Sequence, residues 1–290
     1  DEELCERWSE NVQWQFFSGM ACYAPRLPCD ATQIGRFRRV LGEAGVEQLL
    51  KSTIEASVAM KLVKPAEFER VIVDTTVQEK AIAHPTDSRL LEIARHKIAS
   101  AAKRVGIAVK QTFAKQGKQL RRKAGGYAHA KQFKRLARTV KRQRTILGRL
   151  MRDVQRGVNR ISQAQGSVAG AGKTAGASAL STLLLWLERA ERIRTQQRHD
   201  KHKLYALHAP EVECIGKGKA RRPYEFGVKV SLAITHTSGL MVGARSFPGN
   251  PYDGHTLAEQ LEQTNNLLQD IGTKPTTAVV DLGFRGVDEV

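Results

Sequence analysis

The chain is poor in the features that would tie it to a membrane, a zinc cage or an oxidising compartment. Its most apolar stretch, Leu180 to Leu187, falls far short of the roughly 20 residues that span a bilayer, so no membrane partner is expected. Four cysteines occur in 290 residues: Cys5, Cys22, Cys29 and Cys214. No two have C-x-x-C spacing, which argues against zinc; free thiols in a reducing cytoplasm are the simpler reading, with Cys22 and Cys29 the nearest in sequence. The first residues are acidic and aromatic, with no basic region ahead of an apolar core, so no signal peptide is expected. The chain opens at Asp1 in what reads as mid-helix, as a fragment would.

Acids are scarce in one long segment. From Ser88 to Lys203 there are 29 Lys and Arg against five carboxylates, while the whole chain carries a net charge of +18. The remainder is therefore slightly acidic, and the basic character belongs to that segment alone. Such concentration points to a polyanion, of which nucleic acid is the commonest. Arg121, Arg122, Lys123, Lys141, Arg142 and Arg144 are the groups within it expected to face phosphates. Lys217, Lys219, Arg221 and Arg222, in a Gly-rich loop further on, are expected to do the same. A solvated face on a dimerising helical hairpin would show the same charge, and the two roles are compatible.

Residues 1–66 read as a helical domain, either an ordinary packing domain or a DNA-reading helix-turn-helix with Arg36, Arg38 and Arg39 exposed. A helix is expected from Glu2 to Phe17, then another capped by Asp30 with Ile34, Phe37, Val40 and Leu41 on one face. Gly42 and Gly45 should break it before Val46 to Val58. In the basic segment, 87–203, Leu90 to Val109 form one stripe and Gly125–Gly126 a break. From His129 a near-heptad seam runs through Phe133, Leu136, Val140, Leu147, Met151 and Val154, and a Gly/Ala/Ser hinge at 166–178 leads into a returning helix. Inside that hinge, Ser167 to Thr174 nearly matches a P-loop. It follows a basic helix rather than a buried strand, so ATP or GTP binding is not expected.

The remaining pieces, 67–86 and 204–290, read as strands with one helix. Leu204–Leu207 is expected to be extended, Ile215–Pro223 a loop, and Phe226–Ile234 with Leu240–Ala244 a hairpin. Asp253 or Thr256 should cap a helix that Gly272 and Pro275 end. Two stretches share one design: Val71-Ile72-Val73-Asp74-Thr75-Thr76-Val77 and Thr277-Ala278-Val279-Val280-Asp281-Leu282-Gly283. Each is a β-branched run delivering a single carboxylate. The order is β-β-β-α-β once the helical segment is set aside, and in a mixed sheet of that order the two acidic strands can be neighbours. Two buried carboxylates side by side need a proton or a cation between them. Oxygen-only ligands favour Mg²⁺ or Mn²⁺, and a pair of such ions about 3.5–4 Å apart suits phosphodiester cleavage. The fold class expected is mixed α/β (α+β).

Four blocks carry a family resemblance: Val71 to Lys80, Tyr224 to Lys229, Gly249-Asn250-Pro251-Tyr252-Asp253-Gly254-His255-Thr256, and Val280 to Gly286. Together, in this order, they resemble the DDE transposases of bacterial insertion sequences. The resemblance implies a ribonuclease H-like sheet, with an N-terminal helical domain and a large basic helical-hairpin insertion. It also implies that Asp74 and Asp281 are the first two acids of a triad holding two Mg²⁺ ions. The implied partner is double-stranded DNA, both terminal repeats and target, bound by a homo-oligomer in the bacterial cytoplasm and nucleoid. Leu282 stands where the family has a basic residue, and Phe284 where it has Tyr. The family's third acid, a Glu in a Tyr-Arg-Glu-Lys pattern, falls beyond Val290, so the site in this stretch is expected to be two-thirds built and weak or inactive alone. His255 is expected either to take part in local capping or to sit near the active edge. A non-catalytic DNA-binding protein descended from a transposase, and a metal-dependent DNA nuclease, are the alternative readings.

Overall fold

The computed structural model describes residues 1–166, 174–216 and 223–286. The near-P-loop residues 167–173 and the loop cations Lys217, Lys219, Arg221 and Arg222 lie outside them. The chain forms two compact units. The first comprises Asp1–Thr75, Ser231–Arg245 and the described residues from Tyr252 onward; the second comprises the described residues of Thr76–Val230 with Ser246–Pro251. This division cuts across the three segments expected from sequence, because the N-terminal helices belong to the unit that holds both Asp74 and Asp281, and β1 itself is shared between the units.

In the first unit the opening helix is interrupted. Helices α1 (Glu2–Glu10) and α2 (Val12–Phe17) part at Asn11, whose extended backbone stops one while its side chain accepts from the N–H groups of Gln13 and Trp14 to cap the other. Helix α3 (Ala31–Ala59) is capped as expected by Asp30, which accepts from Thr32 N–H at 2.8 Å. Only Gly42 breaks its geometry, with φ of 65°; Gly45 stays helical. The expected apolar face of its first half is not in the core, since Phe37 and Val40 are exposed. Its second half buries Ile54 against Phe68, Val71, Val73, Ala233, Val242, Leu267, Leu268 and Phe284. Cys5 Sγ lies 4.0 Å from Cys29 Sγ, so the close pair of thiols is not the one that sequence proximity indicates.

The sheet is built from β1 (Arg70–Glu79), β2 (Glu213–Gly216), β3 (Tyr224–Thr235), β4 (Met241–Phe247) and β5 (Thr277–Val279). Its order is β2-β3-β1-β5, with β4 also paired to β3. β5 runs parallel to β1, and β2 antiparallel to β3. Alternation along β1 buries Val71 and Val73 and leaves Asp74 exposed. Helix α8 (Leu257–Leu268) closes the crossover to β5 and ends through a short 3₁₀ turn at Gly272, whose φ of 73° is the left-handed stop expected. Neither Asp253 nor Thr256 caps α8 with its side chain; Thr256 Oγ1 turns back to donate to the Asp253 carbonyl at 2.7 Å.

Two expectations for the strands fail for one reason. Ile215, assigned to a loop, is buried in β2, and Leu204–Leu207, read as extended, forms no strand. The backbone of Leu204 is satisfied by a side chain instead: Gln196 Oε1 accepts its N–H at 3.0 Å and Gln196 Nε2 donates to its carbonyl at 3.2 Å. A side-chain amide so placed replaces a neighbouring strand.

The second unit is a bundle of four helices rather than a two-helix hairpin: α4 (Asp87–Arg104), α5 (Ala114–His129), α6 (Phe133–Gly166) and α7 (Thr174–Thr195). Thr86 caps α4 through Arg89 N–H. The stripe expected to continue through Val109 stops because Gly106 takes φ of 79°. Gly125 and Gly126 do not break α5; the turn comes at Lys131, which adopts a left-handed φ of 54°. Leu90, Leu91, Ala94, Ile98, Leu147, Leu150, Val154, Leu183, Leu187 and Ile193 form the bundle core. Inside it Arg95 donates two hydrogen bonds to Glu92, at 2.8 and 2.7 Å, and a third to the Thr112 carbonyl at 2.7 Å. Among the described residues no helix is long and apolar enough to cross a membrane.

Where β3 crosses β1 in this unit, Gly227 leaves no room for a side chain. A Cβ there would lie 2.8 Å from the Gln78 carbonyl carbon and 2.9 Å from Glu79 Cα, both backbone atoms that cannot rotate away. Gly227→Val is therefore expected to cost about 1–3 kcal/mol, read as a lowered urea midpoint at unchanged m-value.

Candidate functional site

The register of the parallel pair sets the site. Arg70 lies opposite Thr277, Val71 opposite Ala278 and Ile72 opposite Val279. Counted on by two residues past the last ladder pair, the register position of Asp74 corresponds to Asp281. Ladder pairing ends at Val279, and Asp281, still extended, opens the 3₁₀ turn Leu282–Phe284. Both acids project from the same parallel pair because a period of two, begun by buried Val71 and Val73 on one side, turns Asp74 to the solvent.

Each carboxylate is oriented by a local amide. Asp74 Oδ1 accepts from Thr75 N–H at 2.7 Å, and Asp281 Oδ1 from Gly283 N–H at 2.8 Å. Both side chains are exposed, which corrects the expectation of a buried pair.

A third acid stands close by, and sequence reasoning gave it only a capping role. Asp253 Oδ1 accepts from Thr75 Oγ1 at 2.8 Å, a bond between residues 178 apart. Gly283 separates Asp253 from Asp281: a methyl group on it would sit 2.9 Å from Asp281 Oδ1 and 3.2 Å from Asp253 Oδ2. The signal for Asp253 was its place in the Asn250-Pro251-Tyr252-Asp253 block. The ring of His255 packs edge-on against Tyr252 at 5.7 Å, and the Tyr252 hydroxyl donates to the Arg285 carbonyl. Phe284 is buried in the core and Leu282 is exposed.

The donor set is all oxygen, and the local amides engage one oxygen each of Asp74 and Asp281, which fits a hard divalent cation. Among the described residues no group of three or more His, Cys, Asp or Glu is arranged to hold a metal ion.

The predicted phosphate contacts divide. Arg121, Arg122 and Lys123 are exposed on α5 and Lys141 is exposed on α6, whereas Arg142 and Arg144 are half-buried on α6. Arg121, Arg122, Lys141 and Arg144 line one cleft; Lys123 and Arg142 do not. In the N-terminal region Arg36, Arg38 and Arg39 are exposed, with Arg38 paired to Asp1 at 2.6 Å.

The fold and site thus define a mixed α/β protein with two aligned acids at the end of a parallel strand pair. Among known proteins, the chain is 45% identical over 133 residues to the "Uncharacterized protein ORF8 in nfe locus" of Rhizobium meliloti. That match covers 46% of this chain and 64% of the relative, just under two thirds of its length. No family model matches the chain, and no solved structure matches it.

Proposed function

We propose that this chain is part of a DDE transposase with a ribonuclease H-like core, acting on the phosphodiester backbone of DNA. The observation that carries the reading is the parallel β1–β5 pairing, with Asp74 on β1 and Asp281 two residues past the end of β5. The sheet order, with the β3–β4 hairpin on one side of β1 and β5 on the other, accords with the β-β-β-α-β pattern of that resemblance.

Asp74 and Asp281 would hold the divalent ions, Mg²⁺ or Mn²⁺, with the family's third acid contributed from beyond this stretch. Bound there, such ions supply Lewis-acid activation of the attacking oxygen and neutralise charge building on the phosphodiester. The chain's own part is positioning. Thr75 N–H and Gly283 N–H fix the two carboxylates, and the Thr75 hydroxyl fixes Asp253 beside them. The basic residues of α5 and α6 supply the phosphate-binding surface, on terminal repeats and target alike, and pairing of two such DNA ends calls for a homo-oligomer.

A second reading, a DNA-binding protein without catalysis, draws on the exposed basic residues of α5 and α6 alone. Both readings predict that DNA affinity falls linearly on a log–log plot against salt, with a slope of roughly −0.9 per neutralised phosphate. Salt-independent binding, measured by anisotropy between 50 and 200 mM, a span over which roughly 10³-fold losses are typical for such contacts, would remove both. The readings separate on Mg²⁺-dependent nicking of supercoiled plasmid by the longest natural form of the protein: nicking supports the transposase, and binding without nicking supports the alternative.

A further inference from the structure

The second unit contains a cleft of about 1130 Å³ at the N-terminal end of α4, between α5 and α6. Arg121 and Arg122 enter it from α5, Lys141 and Arg144 from α6, and Arg198 from the segment after α7. Asp87 is the one carboxylate in its lining, and it faces Arg144 at 3.6 Å. Among the described residues Arg121, Arg122, Lys141 and Arg198 have no acidic partner. The cleft is therefore strongly positive and can take an anion without first breaking ion pairs.

Two further observations identify the kind of anion. Ser88 is 6% exposed, lines the cleft, and has a buried Oγ with no hydrogen-bond partner; Arg144 Nε is likewise buried and unpartnered. Unmet polar atoms of this sort are rare in folded proteins and are met by water or by a ligand. Ser88 also sits in the first turn of α4, where backbone N–H groups and the helix dipole favour negative charge. The floor, by contrast, is apolar, formed by Leu136, Ala137 and Val140, and the Phe133 ring is 65% exposed. An inorganic anion has no use for an exposed aromatic ring. A DNA duplex has none to offer in return, because its bases are stacked on one another. Phosphates joined to unstacked flat rings use both halves of the cleft, and this volume slightly exceeds the roughly 300–1,000 Å³ of a small-ligand pocket.

We infer that the cleft binds unpaired nucleotides of a single-stranded DNA segment, with phosphates on Arg121, Arg122, Lys141 and Ser88 and a base stacked on Phe133. Such pairing of a basic groove with an aromatic platform is the general means of holding single strands. This rests on the DNA-processing reading above, and assigns to the basic bundle the frayed or nicked end that strand cleavage creates.

The test uses the full chain and three fluorescent or competing probes: a blunt duplex, the same duplex with a three-nucleotide 3′ overhang, and a free deoxynucleoside monophosphate. The overhang is expected to bind about tenfold more tightly than the blunt duplex, as one stacked base allows. Phe133→Ala should bring that ratio close to one, while Gln119→Ala, exposed on α5 but outside the cleft, should leave the ratio as it is. Circular dichroism of each variant separates lost recognition from lost fold. Equal binding of both probes by the native chain overturns the inference while leaving duplex binding intact, and so does a ratio that survives Phe133→Ala. Displacement of the overhang by stoichiometric mononucleotide also overturns it, in favour of a free-nucleotide site. If neither DNA binds, the inference falls together with the function on which it rests.

Discussion

Glu92→Ala is expected to cost the helical bundle about 3–5 kcal/mol, enough to unfold many domains of this size. Arg95 is 3% exposed and Glu92 8%, so removing the acid leaves a guanidinium without its counter-charge where water cannot reach it. Two of the three hydrogen bonds of Arg95 end on Glu92, and the remaining one, to the Thr112 carbonyl, carries no charge. Helix α5 presses on the pair at Gly117, which has no Cβ because one would collide with both side chains, so the loss also opens a gap under α5. Replacing both partners, Glu92→Leu with Arg95→Met, should recover most of the loss, since the penalty lies in stranding one charge rather than in lacking the pair. Guanidinium denaturation followed by circular dichroism distinguishes the cases. A single variant as stable as the double replacement would show that water enters beside Arg95.

Asp74→Asn and Asp281→Asn are each expected to reduce Mg²⁺-dependent DNA cleavage by at least about 10²–10³-fold, with DNA affinity unchanged. The amide keeps the shape and can still accept from Thr75 N–H or Gly283 N–H, so the backbone at the strand ends is undisturbed. What it loses is the charge that attracts a divalent ion. Asp253→Asn should be milder, because its oxygen can still accept from Thr75 Oγ1 and its carboxylate faces the pair from across Gly283. A nicking assay in the longest natural form of the protein reads all three. Cleavage retained by Asp281→Asn would remove that residue from the ion site, and equal losses in all three variants would promote Asp253 to a full ligand.

Local pattern revealed the elements whose causes are local. β-branched runs marked β1 and β3, the left-handed glycine at 272 marked the end of α8, and the seam from Phe133 marked α6. It missed features set by one particular partner rather than by a repeating pattern, whether that partner is near or far in sequence. Nothing near Leu204 announces that Gln196 will satisfy its backbone, and nothing near Ile215 announces pairing with Glu225. Asp253 looked like a cap because it precedes a helix; its actual partner, Thr75, is 178 residues away. Asp74 and Asp281 were legible as acids in matching strands, but their exposure was not, because alternation gives a side without saying which side meets water. Phe37 and Val40 show the converse, a helical apolar face that the fold leaves uncovered.

The parallel pairing of β1 with β5 also fixes an order of events during synthesis. Glu69 and Thr276, the residues that zip the start of this pair together, are 207 positions apart. At roughly 5–20 residues per second, the ribosome takes about 10–40 s to make what lies between them. The helical bundle, made entirely within that interval, has time to fold while β1 still waits for β3 and β5, its neighbours on either side. On the proposed function, a nascent chain would therefore complete its phosphate-binding surface before the second of its two acids has been made.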